Sequence, residues 1–269
     1  MTFKKASAPF LSVALLATAL FPHAAHAFST VTWGSAQNIS GDSDVSTLGS
    51  LLYAYNAGDS GVTATTVNGV TFSPYVFPSN GNTTTTTGNV TFTESPDILL
   101  SFDNLGSVSA PFSDLSSNYQ SLLSSGGSAG ALGTITASLG GLTVGRDYLF
   151  QWWTNDSSNA PWLASTESSA SNWLSPTTVT LDANTTDSAG GTGQYVIGTF
   201  NAFDTFRNIN LNGIEGLPLI NAFQVRDVTS AAVPEPGQIA VSILLLAGIG
   251  GYVFLKRRKL AKPAASAVA

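Results

Sequence analysis

Asp147-Tyr148-Leu149-Phe150-Gln151-Trp152-Trp153-Thr154 is a run of aromatic and aliphatic residues with neither glycine nor proline, closed by Asn155-Asp156, and it reads as a β-strand. Strand alternation puts Tyr148, Phe150 and Trp152 on one face and Gln151 and Trp153 on the other. One tryptophan therefore belongs to a core and its neighbour to a rim or surface. Outward from this run, short stretches of the same kind recur between clusters of Gly, Asn, Ser and Pro. They include Leu51 to Tyr55, Val70 to Phe72, Ile98 to Phe102, Thr134 to Leu139, Thr177 to Leu181, Gln194 to Phe200, Phe206 to Leu211 and Leu219 to Val228. Asn68-Gly69 supplies a tight turn ahead of the second of them. The spacing predicts about ten to twelve strands in one antiparallel β-sandwich. One helix is expected over Phe112 to Leu123, where apolar residues return at helical spacing and could cap an open end of the sandwich. Thr83 to Thr87 and Ser124 to Gly130 read as soft connections with little to bury.

The chain has 269 residues, 43% hydrophobic and 10% charged, with no cysteine. A disulfide scaffold and a zinc ribbon are excluded, and the length suits one or two domains. Between Phe28 and Ala232 the only basic residues are Arg146, Arg207 and Arg226, whereas every acidic residue except Glu235 lies there. So acidic a body argues against nucleic acid or anionic lipid as a partner. Both histidines, His23 and His26, fall in an N-terminal apolar segment, and without that segment no His, Cys or Lys precedes Lys256. Ser-His-Asp, Cys-His, histidine-zinc and Schiff-base chemistry are then unavailable to the body. Carboxylates, hydroxyls, amides, three arginines and aromatic rings remain.

Both ends read as processing signals. Residues 1–27 carry Lys4 and Lys5, an apolar run from Phe10 to Phe21 and the small-x-small ending Ala25-His26-Ala27, the order of a secretory signal peptide cut after Ala27. Signal peptidase and the Sec translocon are the expected handlers. Ile239 to Leu255 is 17 residues without a charge, the lower limit for a C-terminal transmembrane helix, and Lys256-Arg257-Arg258-Lys259 behind it should stay cytoplasmic. Before it stands Val233-Pro234-Glu235-Pro236-Gly237, where two prolines hold one carboxylate on a stiff extended stem. This order of motif, apolar helix and basic cluster resembles the PEP-CTERM sorting signal of exosortase substrates. The resemblance implies that Pro234, Glu235 and Pro236 are recognised by exosortase, a membrane-embedded cysteine protease or transpeptidase of bacteria that make extracellular polysaccharide. It also implies that the helix is a temporary anchor. The expected organisation is 1–27 signal peptide, 28–232 extracellular β-sandwich, 233–259 sorting signal and 260–269 cytoplasmic tail.

The segment Leu139-Gly140-Gly141-Leu142-Thr143-Val144-Gly145-Arg146-Asp147-Tyr148, with Gly193 to Gly198 and Ile220 to Arg226, resembles strand pairs of galactose-binding-like jelly rolls of bacterial surface proteins, the first piece as a hairpin. That resemblance implies a jelly-roll type of sandwich. Flat rings beside amides and carboxylates suit a sugar, whose C–H face stacks while its hydroxyls need paired partners. The candidate ligand-binding residues are Trp153, Asn155, Asp156, Trp162 and Trp173, against the alternative that these rings only pack under a long loop. Asp42 and Asp44, two carboxylates in a loop opened by Gly41, could offer oxygen ligands to a structural Ca²⁺, as could Asp182 and Asp187. Asn-x-Ser/Thr triplets occur at Asn38, Asn82, Asn89, Asn155 and Asn184. Arg226-Asp227 reads as a register-fixing or surface pair.

The expectation is an exported all-β protein, first anchored in the inner membrane and then placed at the cell surface or in the extracellular matrix. It would be a non-catalytic module associated with extracellular polysaccharide. Two alternatives stand beside it: a purely structural matrix or coat protein, and a carbohydrate-active enzyme using paired carboxylates, for which no pair is marked.

Overall fold

A computed structural model describes residues 30–78, 82–94, 98–159, 167–172 and 175–229. The segments 1–27 and 233–259, expected to be a signal peptide and a sorting signal, lie outside them, as do Trp162 and Trp173. The described residues form 17 strands, several of only two or three residues, and one α-helix, Ser117–Leu123. The larger sheet runs in the order Thr32–Trp33, Gln194–Asn201, Asp147–Thr154, Ala222–Asp227, Ser50–Gly58, Val70–Val76, Thr65–Val67. The second sheet runs Ser175–Asp182, Glu167–Asn172, Phe206–Glu215, Thr134–Gly140, Val90–Glu94, Thr84–Thr87. A third, of three short strands, joins Leu219–Ile220, Gly126–Ser128 and Leu100–Phe102. Pairing is antiparallel except between Ser50–Gly58 and Val70–Val76, which are parallel.

The two large sheets share one core. Phe150, Trp152, Phe223 and Tyr75 of the first meet Phe92, Ile135, Ala137 and Leu211 of the second in a single apolar cluster. Ring contacts cross the gap: Phe92 lies 5.2 Å from Phe223 and 5.1 Å from Tyr75, edge to face in both cases. The architecture is all-β, as the alternating strands predicted.

The other face of the larger sheet is covered as well, which departs from the expected rim. The helical signal over Phe112 to Leu123 resolves into a 3₁₀ turn, Phe112–Asp114, and the helix Ser117–Leu123, started by Ser116, whose hydroxyl accepts from Tyr119 N. The helix lies against this second face rather than at an open end. Its Tyr119, Leu122 and Leu123 join Trp153, Phe72, Val45 and Ala222 in a separate apolar cluster. Trp152 and Trp153 are both fully buried, so every residue from Tyr148 to Thr154 is inside.

Beside the helix, segment 44–49 is strapped to the same face by polar side chains. Gln151 Nε2 donates to Asp44 O at 2.6 Å, and Gln151 Oε1 accepts from Ser46 N and from Gln224 Nε2. Gln224 Nε2 also donates to Ser46 O at 3.0 Å. Arg226 completes the ladder, donating to the carbonyls of Thr47, Leu48 and Gly49 and to Gln224 Oε1. Arg226 is therefore not paired with Asp227 as the sequence suggested. Asp227 pairs with Arg146 at 2.8 Å.

Three local expectations are corrected. Thr84–Thr87 is an edge strand on Val90–Glu94 rather than a loose run, since β-branched residues suit a pleated, half-exposed surface. Gly126–Ser128 is a buried strand, and its glycines are steric requirements: a Cβ on Gly127 would collide with the Phe77 ring. Thr134–Gly140 and Asp147–Thr154 belong to different sheets, so the Gly-Leu segment between them is a crossover and not a hairpin. The Asn68-Gly69 turn is present, with φ of 48° and 75°.

Replacing Arg226 by Met removes the donors that hold three backbone carbonyls in a part-buried setting. Urea unfolding should show a loss of about 2–4 kcal/mol. A loss below about 0.5 kcal/mol, the scale of a surface substitution, would mean that the strap does not depend on the guanidinium.

Candidate functional site

Of the residues proposed from sequence to touch a ligand, the three described ones, Trp153, Asn155 and Asp156, are buried joints of the fold, and Trp162 and Trp173 lie outside the described residues. Trp153 packs edge to face on Phe72 at 5.7 Å and beside Tyr195 at 6.2 Å. Its Nε1 donates to Tyr119 Oη at 2.8 Å, and Tyr119 Oη donates to Asp44 Oδ2 at 3.0 Å. The ring has no free face on which a sugar could stack, because the helix and segment 44–49 sit over it. Asn155 Oδ1 accepts from Gly193 N and Ser157 Oγ, while its Nδ2 donates to Leu123 O. Asn221, which the sequence did not single out, donates to the carbonyls of Leu123, Ser125 and Asn155. Both amides donate to Leu123 O, the last carbonyl of the helix and one of the groups that a helix end leaves without an internal partner. Asp156 is buried too, with Oδ1 accepting from Ser158 N and Ser158 Oγ.

Asp42 and Asp44 turn in different directions. Asp44 Oδ2 accepts from Ser40 N, Gly41 N and Tyr119, and Oδ1 accepts from Ser40 Oγ. Asp42 Oδ1 accepts from Ser116 Oγ, 2.6 Å away. A carboxylate ringed by N–H and O–H donors has its lone pairs occupied, the reverse of the oxygen cage a hard cation needs. Asp182 Oδ1 closes a short turn by accepting from Asn184 N, and Asp187 is exposed. Among the described residues no three His, Cys, Asp or Glu side chains gather as a metal site would require. Two of the Asn-x-Ser/Thr triplets start at buried residues, Asn155 and Asn184, whose amides are engaged in the interior.

Two surface features survive, and neither was marked in the sequence. The first is an open cleft of about 320 Å³ lined by Asn56, Asp59, Thr63, Asp103, Ser124 and Ser125 among others. It lies where the end of Ser50–Gly58 meets the helix C-terminus. Asp59 Oδ1 accepts from Gly61 N at 2.7 Å, and Ser125 Oγ donates to Ala57 O at 2.8 Å. The second is the outer face of the second sheet. Register aligns Thr84, Thr93, Thr136 and Asn210 in one row and Thr86, Thr91, Ser138 and Asn208 in the next. Hydroxyls and amides bond along the rows: Thr86 Oγ1 with Thr91 Oγ1 at 2.9 Å, and Thr136 Oγ1 to Asn210 Oδ1 at 3.1 Å. Strand alternation could have found this face, because Thr-x-Thr and Asn-x-Asn repeat on successive strands. No protein family, curated protein or solved structure matches this chain.

Burial raises the phenol pKa values of Tyr53, Tyr75 and Tyr119 well above the usual 10.0, and the Asp44 carboxylate adds to the effect at Tyr119. These phenols keep their protons when folded, while an unfolded chain releases them near pH 10. The unfolded state then binds fewer protons, so stability is full below about pH 10 and declines as pH rises above it. An ultraviolet tyrosinate titration should show these residues ionising only together with unfolding. Their smooth titration near pH 10 with the fold retained would contradict the buried Trp153–Tyr119–Asp44 chain.

Proposed function

We propose that this chain is an exported, exosortase-sorted surface or matrix protein whose body is a non-catalytic, polysaccharide-associated β-sandwich of jelly-roll type. The observation that carries the reading is the fixed order Val233-Pro234-Glu235-Pro236, apolar Ile239 to Leu255, then Lys256 to Lys259. An acidic body that precedes such a signal is destined for the far side of the membrane, because the basic cluster stays on the cytoplasmic side. The exosortase is the processing partner, and the apolar helix holds the chain in the inner membrane until it is cut. The arrangement of the body supports a scaffold. Asp44, Gln151, Asn155, Asn221 and Arg226, residue types that could serve chemistry, hold backbone together instead.

One observation favours a second reading. Asp59 and Asp103 line one cleft, and glycoside hydrolysis needs only two suitably spaced carboxylates.

The sorting reading is tested in the native host by Glu235→Ala. The variant should accumulate uncut in the inner membrane, visible as a heavier band in the membrane fraction, while the parent chain is released or moved outward. Normal processing of the variant would remove the exosortase reading. The same parent chain should free no reducing ends from neutral polysaccharides; release that is abolished by Asp59→Asn would turn the cleft into an active site.

A further inference from the structure

We infer that the outer face of the second sheet is the surface on which this protein holds a neutral polysaccharide chain, with Phe206 as its anchor. The inference rests on the polysaccharide-associated reading above and adds to it the surface and the charge class of the glycan.

The face is unlike the rest of the body. Along Phe206–Glu215 the buried residues Arg207, Ile209 and Leu211 alternate with outward Phe206, Asn208 and Asn210. On Thr134–Gly140, Val90–Glu94 and Thr84–Thr87 the rows of Asn208 and Asn210 continue with threonine and serine alone. No charged side chain interrupts these rows, although the body carries nearly all of the acidic residues of the chain. A surface of amides, hydroxyls and threonine methyls loses little on desolvation compared with a charged one. Amides and hydroxyls offer donors and acceptors side by side, which is what adjacent sugar hydroxyls require.

Phe206 supplies what those rows lack. It is 47% exposed at the head of the Asn row, and its cross-strand partner is Gly140, which has no side chain to cover the ring. An uncovered ring beside a polar ladder gives a sugar its stacking face and its hydrogen bonds in one place.

The period of the face decides among occupants. Successive outward residues on a strand are about 6.6–6.8 Å apart and neighbouring strands about 4.8 Å, so the same chemistry repeats in two directions. A repeating polymer can use every row, whereas a small ligand can use only one. The sheet twists, which suits a single flexible chain better than a flat crystalline surface. The acidic surroundings disfavour an anionic glycan. A second copy of this chain is a poorer fit, since stable interfaces have an apolar centre and this face has one ring among polar groups.

The test is affinity electrophoresis of the full-length protein, purified in detergent, through gels containing galactomannan, dextran or hydroxyethylcellulose, with alginate as the anionic comparison. At least one neutral polymer should retard the protein and alginate should not. Phe206→Ala should weaken the retardation about tenfold, the scale of one lost stacked ring. Asn210→Asp keeps the acceptor for Thr136 but puts a charge on the face, and it should weaken retardation without changing the melting temperature. Retardation untouched by both variants would overturn the assigned surface while leaving the polysaccharide reading in place. No retardation by any of the three neutral polymers would overturn both. Sedimentation showing a dimer that Phe206→Ala dissolves, with no retardation, would give the face to a second copy and overturn the inference.

Discussion

From Tyr148 to Thr154 the central strand is buried on both faces, and the rest of the molecule is arranged to make that possible. One face raises no difficulty, because Tyr148, Phe150 and Trp152 enter the core between the sheets. The other carries Gln151 and Trp153, and a buried amide needs hydrogen bonds wherever water is removed. The chain answers with Gln224 and Arg226 on the neighbouring strand and with the carbonyls and amides of segment 44–49. Side chains there do for the loop what a strand partner would do. Once that strap and the helix are in place, Trp153 has a lid, and Tyr119 and Asp44 complete its polar end.

How much of this could be read from the sequence follows from where each partner lies. Alternation along Tyr148 to Thr154, the Asn68-Gly69 turn and the apolar spacing of Phe112 to Leu123 are local signals, and the β architecture with one short helix was legible from them. What covers Gln151 is not local, since Asp44 lies 107 residues away from it. Nothing in a period of two distinguishes a tryptophan facing water from one facing a helix that arrives from elsewhere. The same limit explains Gly126–Ser128, where a composition typical of loops is used so that Phe77 can lie against bare backbone. In the threonine run, low complexity masked ordinary strand chemistry.

The candidate site shows the same division. Asn155, Asp156, Asp42 and Asp44 are residue types that serve binding and chemistry, and their sequence neighbours made such roles plausible. Their hydrogen bonds place them in turns and at the helix end, where short polar side chains hold backbone groups together. The face that remains for a partner is built from residues that look unremarkable one by one. Its signal is the repetition of Thr-x-Thr and Asn-x-Asn across strands, which becomes visible only when register is known. The body uses its buried amides and carboxylates on its own backbone and shows outward an uncharged polar face.

Closure of the tryptophan strand's second face by segment 44–49 and the helix removes Trp153 from the surface. Hydrogen–deuterium exchange of the full-length chain tests it directly at Ser46, whose amide donates to Gln151 Oε1. The Ser46 amide should exchange as slowly as the amides of 147–154, while the exposed Thr47 and Leu48 exchange faster. Exchange of the Ser46 amide at the rate of exposed loops, with 147–154 still protected, would show an open second face and return Trp153 to the surface.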